Sequence, residues 1–243
     1  FSYTNVSVTI ERPGGKKAVP ERKLQLQKTP NLAIELLSYN WRMSSSTNPH
    51  KTATNFLSNI DADWAQLIEA VGNCTFAPER KEEPYASLVS AIAYQQLHPK
   101  AGDAILARML ALYENTFPTP AQILVTEFDA LRACGFSGRK IETIYGIANA
   151  TLDGLVPDRK TAENLSDEEL IQRLVTLKGI GRWTVEMFLM FTLARPDVFG
   201  VGDLGLLNAA KKLYNLPNLT RQELEQMSQR WSPYRTTAAL VLW

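Results

Sequence analysis

From about residue 50 to the end, apolar side chains recur every three or four positions, in runs of about ten to sixteen residues punctuated by proline or glycine. Nowhere in that stretch does strand-like alternation persist. A chain patterned this way buries its apolar faces helix against helix, so the expected architecture is all-α, about ten helices without an internal repeat. Trp64, Leu67, Ile68 and Val71 share one face; Pro84 opens a segment in which Leu88, Ile92 and Gln95 share a side; Pro99 restarts the chain into Ile105, Met109 and Leu112. Further helices are expected at about 120–133, 138–152, 166–176, 182–194, 204–214 and 220–230, with a last one from about 233.

The first fifty residues read differently. Val6, Val8 and Ile10 alternate with Ser7 and Thr9, a Pro-Gly-Gly turn follows, and a second short alternation surrounds Leu24 and Leu26. Residues 1–50 are therefore expected to form an arm or short β hairpin. The turn-rich SSSTNPHKTA at 44–53 serves as linker, and residues 51–243 form the helical domain. A total of 243 residues with 45% apolar and 21% charged content suits one large globular domain with a short appendage and excludes disorder.

Charge and cysteine content narrow the partners. With 26 Lys and Arg against 25 Asp and Glu the net charge is +1, so the molecule is no polycationic coat and any nucleic-acid site must be local. Two cysteines, Cys74 and Cys134, make neither a disulfide framework nor a zinc or iron–sulfur site by themselves. The apolar MFLMFTLA at 187–194 is far short of the roughly 20 residues that span a bilayer. A soluble intracellular protein without a membrane partner is expected.

The most informative run is residues 174–206. A helix ending near Thr176 meets Leu177-Lys178-Gly179-Ile180-Gly181, and a new helix starts at Arg182. Two glycines flanking one apolar residue permit a tight hairpin pinned by Ile180, whose backbone can closely approach a partner. The free N–H groups at the start of the second helix suit a phosphate, with Lys178 and Arg182 adding charge beside it. Asp203 stands in a Gly-rich approach directly before Leu204, Leu206 and Leu207. As an N-cap alone it is worth about 1 kcal/mol. As a carboxylate at a helix N-terminus with Gly202 and Gly205 beside it, it can also face a ligand.

The order of LKGIGRWT, about twenty residues, then an Asp opening a helix resembles the helix-hairpin-helix DNA glycosylases, the HhH-GPD superfamily. GIGRWT, DVFGVGDLG and WSPYRT at 231–236 are similar to the branch that repairs alkylated bases, the 3-methyladenine DNA glycosylases. The likeness covers roughly residues 55–243. It implies a multi-helix fold of two lobes around a cleft, and Asp203 as the catalytic aspartate. Trp183, Met187 and Trp243 fall on base-pocket positions, although some relatives carry an aromatic where Met187 stands. Lys178, Gly179, Ile180, Gly181, Arg182 and Thr184 fall on the phosphate-binding hairpin. Trp183 occupies the position of the nucleophilic lysine of bifunctional relatives, so no Schiff base and no strand-cleaving lyase step is expected. AIAYQQLHPKAG at 91–102 resembles the segment that pushes into the DNA stack, which makes Gln95, Gln96, Leu97 and His98 the wedge. CGFSGRK at 134–140 resembles a further family turn, with Arg139 and Lys140 near DNA.

The implied function is base-excision repair: hydrolysis of the N-glycosidic bond of a flipped alkylated purine, 3-methyladenine or 7-methylguanine, in double-stranded DNA. A monomer associated with DNA is expected, in nucleoid or nucleus according to the source. No organic or redox cofactor and no dedicated metal ligand is implied; the resemblance allows a monovalent cation on hairpin carbonyls. Two alternatives stay open: a non-catalytic helix-hairpin-helix DNA-binding protein, and a glycosylase for deaminated or oxidised bases.

Overall fold

Prolines and short polar side chains decide where the helices begin. The computed structural model describes residues 50–72, 74–76 and 82–243, and among these it shows thirteen α-helices, one 3-10 turn and no strand. The first seven are α1 (Lys51–Ser58), α2 (Ala62–Val71), α3 (Pro84–Tyr94), α4 (Pro99–Ala111), α5 (Pro120–Val125), α6 (Phe128–Ala133) and α7 (Gly138–Leu152). The rest are α8 (Arg159–Asn164), α9 (Asp167–Leu174), α10 (Arg182–Phe191), α11 (Leu204–Leu213), α12 (Arg221–Ser228), the 3-10 turn (Gln229–Trp231) and α13 (Arg235–Leu242). Pro84, Pro99 and Pro120 stand in first turns, where no intrahelical N–H is required. Thr119, Ser166 and Thr220 close reciprocal capping boxes with Gln122, Glu169 and Glu223.

These helices pack in two groups. α7 is the spine of the first, with α3, α5 and α6 against it and α4 on α3. The second unites the two ends of the described chain: α1 and α2 with α11, α12 and α13. Its centre is a pair of fully buried indoles, Trp64 and Trp231, edge to face at 5.3 Å, with Phe199 on Trp231 at 5.1 Å. α10 joins the groups, packing on α3 and α9 while Phe191 stacks on Trp243 of the second.

Several expectations need correction. There are more helices than about ten, because short capped ones carry too few turns to show periodicity: α8, set by the Asp158 cap on Thr161 N–H, is one. The run at 120–133 is two helices, broken where Thr126 turns extended; its hydroxyl bonds Gln122 O and Tyr113 Oη, and its carbonyl accepts the Tyr145 hydroxyl. Residues 51–53, read as linker, belong to α1. Val71 and Leu112 lie at helix ends and are exposed. The suggested β hairpin at 1–50 falls outside the described residues, save His50.

Candidate active site and nucleic-acid interface

The Gly-Ile-Gly turn folds as its composition demands. Gly179 has φ +88°, the left-handed region open to glycine, and a Cβ there would lie 2.4 Å from Thr143 Oγ1 on α7. Ile180, 4% exposed, pins the turn to the core. Gly181, the exposed N-cap of α10, offers no side-chain acceptor to the first turn. The cations beside it are engaged: Lys178 Nζ with Glu142 at 2.8 Å, and Arg182 with both Glu168 at 3.2 Å and Glu186 at 3.1 Å. The Lys178–Glu142 and Arg182–Glu168 pairs lie in solvent, where such interactions are weak. Thr184, assigned by likeness to the phosphate-binding hairpin, is the third residue of α10, and its side chain is buried because that position already points into the core.

The α3–α4 turn meets this hairpin. Gln95 Nε2 donates to Gly179 O at 3.3 Å. Gln96 is exposed with φ +59°, Leu97 packs partly against the core, and His98 caps α4 by accepting Lys100 N–H. Of these four residues, expected by likeness to form the wedge, Gln96 is exposed and makes none of the contacts that engage the other three. Lys140, expected near DNA by family likeness, has its ammonium engaged within the fold: it donates to Ala93 O at 2.9 Å and Gln95 O at 2.8 Å, the carbonyls that end α3. Burial lowers its pKa accordingly. Arg139, its neighbour, is exposed. α7 thus carries both parts, holding the wedge turn through Lys140 and the hairpin through Thr143. Lys140→Met is expected to destabilise the fold by about 1–3 kcal/mol, read from denaturant melts, while leaving the salt dependence of duplex affinity unchanged. Arg139→Ala should instead lower the slope of log affinity against log salt by about one contact.

Asp203 is the N-cap of α11 and is 8% exposed. Its Oδ1 accepts Leu206 N–H at 2.9 Å and Trp243 Nε1–H at 3.3 Å, and its Oδ2 accepts Trp183 Nε1–H at 2.9 Å. All three donors are neutral, and among the described residues no cationic side chain pairs with it. The two indoles singled out in the sequence therefore converge on the aspartate. Met187, one turn beyond Trp183, is 5% exposed. The backbone at Gly200 lies against this face of α10: a Cβ there would sit 3.6 Å from Met187 Cε and 3.7 Å from Trp183 Cδ1.

Three contributors escaped the sequence reading. Phe191 backs the Trp243 ring at 6.2 Å and 20°, a relation between residues 52 apart that only helical spacing on α10 hints at. Gly200 leaves no signal beyond being a glycine. Glu186, 4% exposed, hides in an apolar run; burial pushes its carboxyl above the usual range against the pull of Arg182. The folded chain thus holds a proton on Glu186 more tightly than the unfolded chain, so this group's contribution to stability falls as pH rises through its folded pKa. Glu186→Gln should accordingly lessen the loss of Tm as pH rises above the ordinary carboxylate range. A cavity of about 500 Å³ lies along the Arg182, Glu186 and Leu189 side of α10, and Asp203, Trp183 and Trp243 do not line it.

Comparison with known proteins places this geometry. Residues 89–233 match the model of the HhH-GPD superfamily base excision DNA repair proteins. The chain belongs to this superfamily. A curated member similar to it is DNA-3-methyladenine glycosylase 1 of Schizosaccharomyces pombe, 47% identical over 192 residues, 77% of this chain and 83% of the relative. Among solved structures, the S. pombe 3-methyladenine DNA glycosylase in complex with abasic DNA superposes with a TM-score of 0.72 at 45% identity, over 79% of this chain and 95% of that one. A DNA-3-methyladenine glycosidase of Bacillus halodurans gives 0.71 at 36% identity, over 84% and 91%.

Proposed function

We infer that this chain is a monofunctional DNA glycosylase that releases alkylated purines from duplex DNA. One observation carries the reading: a nearly buried carboxylate, Asp203, held by N–H groups of Trp183, Trp243 and Leu206 and paired with no cationic side chain among the described residues. The names of its relatives, 3-methyladenine glycosylases, support the same substrate class.

A purine methylated at N3 or N7 is cationic while bonded to the sugar, which makes it a good leaving group that needs little acid catalysis. Indole rings beside the carboxylate attract such a base by about 0.5–2 kcal/mol each through cation–π contact. As the N-glycosidic bond stretches, the deoxyribose becomes oxocarbenium-like, and the Asp203 anion stabilises it and orients the attacking water. The indole N–H bonds hold both carboxylate oxygens in place beforehand, so no reorganisation is needed at the transition state. Trp183 carries no amine, so the sugar is not captured as a Schiff base and the strand survives. The hairpin amides with Lys178 and Arg182 grip phosphates without reading sequence, and Gln96 at the wedge turn fills the gap left by the everted nucleotide.

The chemistry calls for no redox or organic cofactor. The hairpin carbonyls of Leu177, which accepts Ile180 N–H, and Gly179, which accepts Gln95 Nε2–H, each keep a second lone pair with which they would hold a monovalent cation. Such an ion would hold the turn against a phosphate. The protein acts as a monomer on intracellular DNA.

A panel of duplexes, each with one modified base, tests the assignment. Chromatography should find free base from the 7-methylguanine duplex and none from the uracil or 8-oxoguanine duplexes. Release from the neutral lesions alone would favour the deaminated or oxidised class, and release from none would favour a binding module.

A further inference from the structure

We propose that Asp197 and Arg235 are positioning residues for the Asp203 carboxylate, acting through α13 as a spacer of fixed length; this rests on the reading of Asp203 given above. The segment from Arg195 to Asp203 is bound to α13 at both of that helix's ends. At the N-terminal end, Arg235 grips Asp197 through Nε at 2.8 Å, a terminal guanidinium nitrogen at 3.0 Å and its backbone N–H at 3.1 Å, and the Ser232 hydroxyl adds 2.8 Å. Thr236 continues the seam: its N–H reaches Pro196 O at 3.1 Å, its hydroxyl donates to Arg195 O at 2.6 Å and accepts Val198 N–H at 3.0 Å. At the other end, Trp243 donates to Asp203.

The mismatch in lengths gives this arrangement its consequence. Five residues separate Asp197 from Asp203, and the six extended steps between the two reach about 20 Å. The eight residues of α13 rise about 12 Å. The segment therefore has slack, taken up by turns in which Val201 N–H bonds Phe199 O and Asp203 N–H bonds Gly200 O, around Gly200 and Gly202. A slack glycine-bearing segment does not by itself fix the place of its last residue; a helix of set length clamped at its start does. The guanidinium fork suits this task, being planar and bidentate where an ammonium is a single point. Burial raises the Asp197 carboxyl, yet the bonds from Arg235 and Ser232 outweigh it and hold it below the usual range. Neither Asp197 nor Arg235 bonds Asp203; both line the cavity that Glu186 also lines.

The test uses the full chain with Asp197→Asn and Arg235→Lys, and adds Thr236→Val with Thr236→Ser as its conservative partner. Three quantities are measured: single-turnover release of 7-methylguanine at saturating enzyme, affinity for an abasic duplex, and the Trp243 indole N–H resonance in ¹⁵N-labelled protein. We expect release to slow about 10- to 100-fold for Asp197→Asn, Arg235→Lys and Thr236→Val. Affinity should stay within about twofold, the indole resonance should shift, and Thr236→Ser should keep the full rate. Should the Asp197 variant not fold, the Thr236 pair carries the test, since its hydroxyl bridges the same seam. Unchanged release with an unmoved indole resonance overturns the proposal, as does slower release matched by an equal loss of affinity. If the unsubstituted chain releases no base, the glycosylase reading fails, while the indole resonance still reports whether the clamp sets Trp243.

Discussion

Asp203→Asn slows base release by about 10³-fold or more and leaves duplex binding intact or tighter. The substitution keeps the shape of the side chain and removes the charge that offsets the oxocarbenium ion; losing a single neutral donor at comparable sites already costs about 10² to 10³. Geometry adds to the loss. An amide oxygen can still accept Leu206 N–H and the Trp243 indole, but its NH₂ then faces the Trp183 indole N–H, donor against donor. Binding moves the other way, because an anion has been removed from a surface that meets a polyanion. Single-turnover release from a 7-methylguanine duplex, with anisotropy on an abasic duplex, separates the two effects. A pure binding module would gain affinity and have no release to lose.

Gly179→Ala acts on the other half of the machinery. The new methyl group would lie 2.4 Å from Thr143 Oγ1 and 2.9 Å from its Cγ2, and the backbone would have to hold φ +88° with a side chain attached. The turn lifts from α7, at a strain of about 1–3 kcal/mol, and its amides no longer converge on one phosphate. Affinity for abasic and undamaged duplexes should fall together, by about 10- to 100-fold, with release at saturation changing by no more than a few-fold. Thr143→Ala in the same chain removes the two nearest atoms and leaves only Cβ at 3.2 Å, so it should restore part of the affinity. The remainder measures backbone strain. Equal affinity for Gly179→Ala and the unsubstituted chain would remove the hairpin from DNA binding.

What was legible in the sequence is what local chemistry announces. An Asp before Leu204 and Leu206 reads as an N-cap because that cap is built within four residues, and its bond to Leu206 N–H is present. Proline restarts and a Gly-Ile-Gly turn are local in the same way. Partners distant along the chain gave no such sign. Lys140 read as a surface charge because its carbonyls belong to α3, more than forty residues away. Thr184 followed the hairpin motif, yet helical phase turned its side chain inward. The Asp197–Arg235 clamp joins residues 38 apart, and Gly200 matters only through what rests on it. The convergence of Trp183 and Trp243 on Asp203 was reached through family likeness, since spacings of 20 and 40 residues carry no geometric information.

Alkali provides the most direct check on the chemistry assigned to Asp203 and Trp183. A duplex with a single 7-methylguanine is incubated with the protein, and free base and strand breaks are counted before and after hot alkali. Hydrolysis driven by a carboxylate predicts released base with an unbroken strand, the break appearing in equal yield only after alkali. Breaks that accompany release without alkali, trappable by borohydride, would mean an amine attacks the sugar and would contradict the account.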